Sequence, residues 1–454
     1  MSIVVLIPGI LCILALLRGK TQKAFLNVFL PVLLLFPVDY TWTLRPIPPL
    51  NFIMAVMLPM GVWMCIFDLP HWKYSRADLW IAVFIISSVY TDYRTGQTSA
   101  SILTLFSVLV TGLIPYMAGK LLIERPGIRV AVVRRFTWLL VVACILSMYE
   151  FFGKTNPFRR IWIKFFPDQW IPLATSIRRG FGRLGGPFGG GEQAGMVILT
   201  GLCLAVWLGY RKYPDLERRA RSSISPKATK FIVLILGLAL FMTQSRGPWV
   251  GAFVAFCIAS IGRAKRPLQR AIIVFGLGLV IGIPAFYAVK DYASGPRKDY
   301  GSERETAQYR AQLIENYIPV AEFGGAWGWG HIFPRIGDQS SVDNEYLFVW
   351  LMQGYMGLLS FFLLLLEAGI SLFRVGLRAR LKRDRLFVFS LLGIILGIGV
   401  TIATVFLGSQ PYELFFLLIG WSQAVRLSDV NKMDDSAALA RQDAPAPALI
   451  RVYT

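Results

Sequence analysis

The chain alternates long apolar stretches with short segments that are rich in lysine and arginine. Apolar runs of roughly 15–25 residues predict α-helices that cross a bilayer. We expect about twelve to fourteen such helices and favour thirteen, because the segments at 79–92 and 231–243 are short enough to be re-entrant or to merge with a neighbour. The thirteen segments are 3–17, 24–42, 50–68, 79–92, 100–119, 136–152, 192–210, 231–243, 248–262, 271–289, 345–373, 387–408 and 412–425.

Basic residues are distributed unequally between the two sets of connecting segments. The set that includes the loops at 120–135, 211–230 and 374–386 holds 31 lysines and arginines, and the alternate set holds 16. Basic residues accumulate in short cytoplasmic loops. The sequence therefore predicts one transmembrane domain over 1–426, with the N-terminus outside and the C-terminus inside. The cytoplasmic tail at 427–454 is rich in Ala, Pro and Asp, which predicts disorder.

Composition agrees with an all-α polytopic membrane protein. The 454 residues are 55% hydrophobic and 16% charged, and the mean hydropathy is +0.56. A net charge of +21 is explained by cytoplasmic loops beside anionic lipid, so nucleic acid is not an expected partner. The N-terminus lacks the features of a cleaved signal peptide, and we interpret it as a retained first helix. Neither a metal site nor a cofactor is predicted, because the only histidines are His71 and His331 and the five cysteines lie in apolar segments without CxxC spacing.

Two of the predicted external segments are long, 153–191 and 290–344. The second contains "SERETAQYRAQLIENYIPVAEF", which opens with a Ser302/Glu305 capping box and continues with apolar residues at helical spacing. We expect an amphipathic helix at 302–322 that lies on the outer membrane surface. The external loop is therefore predicted to be large and partly helical.

The stretch "FMTQSRGPWVGAF" places Arg246 between two apolar segments, at the predicted external side. Pro248 suits the first turn of the second helix, where its missing N–H costs nothing. The free amides and positive dipole end of that helix would then lie beside Arg246, which suits an anion such as phosphate. The alternative is an arginine whose side chain reaches the lipid headgroups.

A second stretch, "SIRRGFGRLGGPFGGGEQAG", places Arg183 and many glycines directly before Glu192, where a helix begins. Successive glycine N–H groups can form a nest for an anion. The alternative is a flexible external loop.

The third stretch is "SSVDNEYLFVWLMQGYMGLL". Asp343 is placed to cap the following helix, and near Arg310 it could also act as a general base. His331, the only external histidine, is either a further base or a loop residue bonded to backbone.

In this order, the three stretches resemble the bacterial O-antigen ligase and O-antigen polymerase superfamily of membrane glycosyltransferases. "SRG" between two helices resembles the central signature of that family, and "RLGGPFGGGEQAG" is similar to its R-x-x-G-x-x-x-x-P stretch. The ligases carry His-Asn, nine residues and Gly-x-x-Gly. Here Asn344 is followed by nine residues, Gly354 and Gly357, and Asp343 replaces the histidine, which resembles the polymerase members. The similarity covers about 180–360.

The resemblance implies metal-independent, inverting glycosyl transfer on the periplasmic face of the bacterial inner membrane. The donor would be an undecaprenyl-pyrophosphate-linked glycan, and the acceptor either a second lipid-linked repeat unit (polymerase) or lipid A–core (ligase). Membrane lipids and a chain-length regulator are further expected partners. Arg183, Arg246 and Arg310, with Asn344, would bind substrate. Asp343 is the favoured catalytic base, with Glu192 and His331 behind it.

Two other classes of function remain open at this stage. A transporter or lipid flippase would use the arginines to bind a transiting anion, although transporters place charges near the bilayer midplane. A scaffold of a polysaccharide-export complex would have no chemistry of its own.

Overall fold

The computed structural model describes residues 3–44, 47–126, 128–169, 172–210, 225–294, 303–337, 339, 341–408 and 410–442. The chain in these ranges is mostly helical, with two short antiparallel hairpins. The helices, numbered in chain order, are α1 Ile3–Arg18, α2 Thr21–Leu35, α3 Phe52–Phe67, α4 Arg76–Arg94, α5 Thr98–Leu122, α6 Ile128–Gly153, α7 Pro157–Trp162, α8 Gly191–Leu208, α9 Pro226–Met242, α10 Arg246–Arg263, α11 Pro267–Tyr292, α12 Glu303–Phe323, α13 Glu345–Arg378, α14 Lys382–Ile402 and α15 Gln410–Gln442. The strands are β1 Thr41–Leu44 paired with β2 Ile47–Asn51, and β3 Ile177–Arg178 paired with β4 Phe181–Gly182.

Each of the thirteen predicted apolar segments coincides with a helix. In the described ranges, six helices are long and apolar enough to cross a membrane, namely α5, α6, α8, α11, α13 and α14. This confirms a helical membrane protein, while the count of thirteen spans and their orientation stay predictions. One boundary was wrong: α2 ends at Leu35 rather than near 42. Pro37 disfavours helical backbone at Phe36, and the chain continues into the β1–β2 hairpin.

Among the described loops, ion pairs and hydrogen bonds between distant segments join segments that we predict to share one side of the membrane. At the predicted cytoplasmic end, Arg125 pairs with Asp68 at 2.7 Å, and the Trp421 indole donates to Glu124 at 2.7 Å. The long segments 153–191 and 303–344 contact the chain at the opposite end. These contacts agree with a topology in which successive loops alternate between the two sides of the membrane. Which side is outside is predicted from the distribution of basic residues alone.

Helices α10 and α14 cross through small residues. A Cβ atom added to Gly251 would lie 2.4 Å from the carbonyl oxygen of Gly397, and one added to Gly393 would lie 2.5 Å from that of Ala255. Without side chains at these points the two backbones touch, as in other closely packed membrane helices. This contact fixes α10, the helix that begins with Arg246.

Helix α12 forms where the capping box and periodicity predict it, although Ser302 itself lies outside the described residues. Part of its apolar face packs against protein, and its placement on the outer membrane surface stays a prediction. Leu313 and Tyr317 are buried in a small cluster with Val342 and Leu347, at the start of α13. This buried part of α12 therefore packs the helix onto the start of α13.

The last helix continues past the predicted boundary at 426, as far as Gln442. The segment "KMDDSAALARQ" is rich in good helix formers, which favours continuation of the helix. The rest of the predicted disordered tail, 443–454, lies outside the described residues.

Candidate active site

The arginine-rich segment before α8 forms the β3–β4 hairpin, which packs against the turn between α9 and α10. Arg178 Nη1 donates to the carbonyl oxygen of Gln244 at 3.1 Å, and Arg183 Nε donates to that of Thr243 at 3.2 Å. The backbone N–H of Leu184 donates to Met242 O at 3.1 Å. Two arginines are thus fixed to the residues immediately before Ser245 and Arg246.

Arg246 is the first residue of α10, and its side chain is exposed. Ser245 occupies the cap position with extended backbone. Pro248 lies in the first turn, as predicted, and is buried where Gly195 of α8 allows close approach. The positive end of the α10 dipole therefore coincides with the Arg178 and Arg183 hairpin, an arrangement that favours anions.

Glu192 lies in the first turn of α8 and forms an ion pair with Arg183, with 2.5 Å between Oε1 and Nη2. The pair is partly shielded, since 15% of the Arg183 side chain and 26% of the Glu192 side chain are exposed. A carboxylate in this position orients the guanidinium.

The predicted glycine nest exists, and it holds a carboxylate of the protein itself. Glu150 Oε2, near the end of α6, accepts hydrogen bonds from the backbone N–H groups of Gly185 at 3.0 Å and Gly186 at 2.9 Å. Its Oε1 accepts from the Thr175 hydroxyl at 2.7 Å. Glu150 is 1% exposed. It therefore fastens both ends of the segment that carries Arg178 and Arg183.

The cap of α13 is Asn344 rather than Asp343, which corrects our interpretation of this turn. Asn344 Oδ1 accepts from the backbone N–H of Leu347 at 3.1 Å. Asp343 Oδ1 instead accepts from the Ser341 hydroxyl at 3.0 Å. Asn344 thus has a structural role as the cap of α13, and its contact with substrate stays a prediction.

Arg310 lies on α12 beside Tyr309, whose hydroxyl donates to Ser341 O at 2.9 Å. These contacts place this part of α12 near Asp343, as the sequence suggested. Arg310 Nε is buried and has no hydrogen-bond partner among the described residues. Whether Arg310 reaches the Arg183 and Arg246 group stays a prediction.

The first glycine of the resemblance motif breaks helix α13. Gly354 has φ 64° and ψ −160°, a backbone conformation that side chains disfavour. The loop between α12 and α13 enters this break: the N–H of Trp329 donates to Leu351 O at 2.8 Å, and the N–H of Met356 donates to Ala326 O at 3.0 Å. The break therefore anchors the loop that carries His331.

His331 is held by Asp92, which lies near the end of α4. The carboxylate is 2.8 and 2.9 Å from Nδ1 of the imidazole, and it accepts from the His331 backbone N–H at 3.1 Å. Thr104 Oγ1 donates to Asp92 Oδ2 at 2.7 Å. Asp92 is 1% exposed, whereas 54% of the His331 side chain is exposed.

His331 and Asp92 line a cavity of about 430 Å³ between α4, α5, α13 and the turn that joins α14 to α15. The walls are mostly apolar, with Glu345 and Tyr412 among the polar groups. Glu345 is buried, and its Oε2 accepts from the backbone N–H of Leu407 at 2.8 Å.

The α14–α15 turn lies between the cavity and the arginine group, by which we mean Arg178, Arg183 and Arg246. Thr404 and Val405 lie against Gly247, the residue after Arg246, and Thr401 Oγ1 donates to Gly247 O at 3.3 Å. Leu407 of the same turn lines the cavity. The arginine group and the His331–Asp92 pair therefore lie on either side of the α14–α15 turn.

The described fold is that of a multi-pass helical membrane protein, with several arginines at the start of α10 and an imidazole–carboxylate pair at the same end of its helices. Residues 231–362 match the family model described as O-Antigen ligase. This match confirms the resemblance to the O-antigen ligase and polymerase superfamily, and it supports an enzyme of this general type. It includes Arg246, Arg310 and the segment from His331 to Asn344. No curated protein matches the chain.

Sequence reasoning missed Asp92 and Glu150. Glu150 stands alone in the apolar segment 136–152, and a carboxylate within a membrane segment is a signal of function or of a buried partner. Asp92 has a weaker signal, because it lies at the border between an apolar segment and a short loop.

Proposed function

We propose that this protein is a membrane glycosyltransferase that polymerises undecaprenyl-pyrophosphate-linked repeat units into a surface polysaccharide, on the periplasmic face of the inner membrane. The observation that carries the proposal is the attachment of Arg178 and Arg183 to the carbonyl groups directly before Arg246. These guanidinium groups and the start of α10 would bind the pyrophosphate and stabilise the charge that develops as it departs. A lipid-linked donor also fits a site at the ends of membrane helices.

Transfer to lipid A–core, the ligase reaction, is the second candidate, because the matching family model carries that description. Asp343, in place of the ligase histidine, favours the polymerase. A transporter or flippase is less well supported, since the arginine group lies at helix ends. The proposed polymerase reaction requires an acceptor hydroxyl to attack the anomeric carbon with inversion, and this attack requires a base. Asp343, Glu192 and His331 are the sequence candidates for this base.

The test uses purified protein in nanodiscs with undecaprenyl-pyrophosphate-linked repeat units, and it measures longer lipid-linked products. We expect extension by the wild type and its loss in Arg246→Lys, because lysine keeps the charge but loses the two-pronged geometry. Arg263→Lys is the matched control at the opposite end of α10, and we expect it to retain activity. Transfer to added lipid A–core without extension would favour the ligase. Vectorial lipid movement without either product would contradict the proposal.

A further inference from the structure

We propose that His331, oriented by Asp92, is the catalytic base that accepts the proton of the acceptor hydroxyl, and that the cavity beside it receives the acceptor sugar. The inference rests on the proposed function and replaces Asp343, the base that the sequence alone favours. Three observations carry it: the geometry of the pair, the cavity, and the placement of the loop.

The first observation is the orientation of the imidazole. An ionised Asp92 accepts a hydrogen bond from Nδ1–H, which leaves the lone pair on Nε2 as the basic site. The carboxylate also stabilises the imidazolium that forms when the proton arrives, as in other carboxylate–imidazole pairs. Asp92 is itself fixed by Thr104 and by the His331 backbone N–H. Asp92 is thus a positioning residue, and His331 is the group that touches the substrate.

The second observation is the cavity. Its volume of about 430 Å³ lies within the range of small-molecule sites. Phe348 and Phe406 form part of the wall, and their ring centroids are 5.0 Å apart. Apolar walls suit the C–H face of a sugar ring, while His331 and Glu345 supply polar groups for its hydroxyls. The chemical class of the ligand is therefore a saccharide with a free hydroxyl.

The third observation is how the external loop places His331. Gly330 has φ 63°, and a Cβ atom added there would lie 2.4 Å from Asp92 Oδ1. The hydroxyl of Thr91 also donates to Trp327 O. The loop is thus attached both to α4 and to the break in α13. By contrast, Glu192 is paired with Arg183, and Asp343 is not among the residues that line the cavity.

The acceptor oxygen forms a bond to the anomeric carbon of the donor while the bond from that carbon to the pyrophosphate oxygen breaks. The leaving undecaprenyl pyrophosphate keeps the electron pair, and the arginine group stabilises its charge. The hydroxyl proton moves to His331 Nε2 and later to solvent.

The experiment compares His331→Ala, Asp92→Asn and Asp343→Asn with the wild type in the extension assay, and it measures the affinity for undecaprenyl pyrophosphate separately. We expect His331→Ala to lower kcat by about 10²–10⁴-fold and to keep donor affinity within about twofold. Added imidazole should restore part of the activity, because the side chain is 54% exposed and the vacated space is accessible. Asp92→Asn should also lower kcat with donor affinity unchanged, and Asp343→Asn should stay within about fivefold of the wild type.

Full turnover in His331→Ala, together with loss in Asp343→Asn, would overturn the inference and leave the proposed function standing, because the wild type would still extend glycans. Loss of donor affinity in His331→Ala would indicate a structural role and would also overturn it. Failure of the wild type to extend any glycan would remove the proposed function and the inference together.

Discussion

Replacing Glu150 should release the segment that carries Arg178 and Arg183. In Glu150→Ala, the buried N–H groups of Gly185 and Gly186 lose their acceptor, and the Thr175 hydroxyl loses its partner. A buried donor left unpaired costs about 1–3 kcal/mol, so the two amides together cost about 2–6 kcal/mol. In Glu150→Gln the remaining carbonyl oxygen can accept from both amides, and the Thr175 hydroxyl can accept from the new amide. The loss is then mainly that of charge assistance, about 1–2 kcal/mol.

Amide hydrogen exchange, read by mass spectrometry on peptides that cover 175–186, measures this difference directly. Since about 1.4 kcal/mol corresponds to a factor of ten, protection should fall roughly 30-fold to 10⁴-fold in Glu150→Ala and at most about 30-fold in Glu150→Gln. Peptides from the buried part of α14 serve as the internal control and should not change. Donor affinity should fall in parallel with protection. Unchanged protection in Glu150→Ala, or equal damage from glutamine and alanine, would refute this reasoning.

Three further outcomes test other parts of the structure. Asn344→Ala should lower the free energy of unfolding by about 1 kcal/mol through loss of the helix cap. Asn344→Ser, which keeps a capping side chain, should keep both stability and activity. An Asn344→Ser variant that is stable but inactive would instead indicate that Asn344 contacts the substrate. Gly330→Ala should lower kcat about as much as His331→Ala, because the added Cβ meets Asp92 and the backbone at this position has φ 63°. A wild-type kcat in Gly330→Ala would show that the loop tolerates displacement. Burial raises the pKa of Asp39, whose Oδ2 has no hydrogen-bond partner among the described residues. Folding stability is therefore lost as the pH rises above the pKa that this carboxyl has in the unfolded chain. Asp39→Asn should raise Tm at pH 8 but not at pH 3, and an equal rise at both pH values would contradict this cause.

Features set by neighbouring residues could be predicted from the sequence. The start of α10 is one example, because Pro248 in the first turn and the polar "TQSR" segment are local signals. Helix α12 is another, since its capping box and periodicity lie within one segment. The match over 231–362 confirms the family resemblance that the second and third stretches indicated.

Features that depend on tertiary contacts could not be predicted in the same way. Asp343 and Asn344 are both competent caps by residue type, and the buried contact of Glu345 with Leu407 helps to fix where α13 begins. Asp92 and His331 are 239 residues apart, and periodicity carries no information about such a pair. The sequence predicted a nest for a bound anion at these glycines, and the amides of Gly185 and Gly186 instead bind a carboxylate of the protein. This carboxylate, Glu150, comes from another helix.

The central claim is that Arg183 and Arg246 bind one pyrophosphate together. A double-mutant cycle on the affinity for undecaprenyl pyrophosphate, with Arg183→Ala, Arg246→Ala and the double variant, tests it most directly. If both guanidinium groups contact the same ligand, the effects should be non-additive, with a coupling of about 0.5–3 kcal/mol. Additive effects within about 0.5 kcal/mol, or unchanged affinity in both single variants, would contradict a shared site.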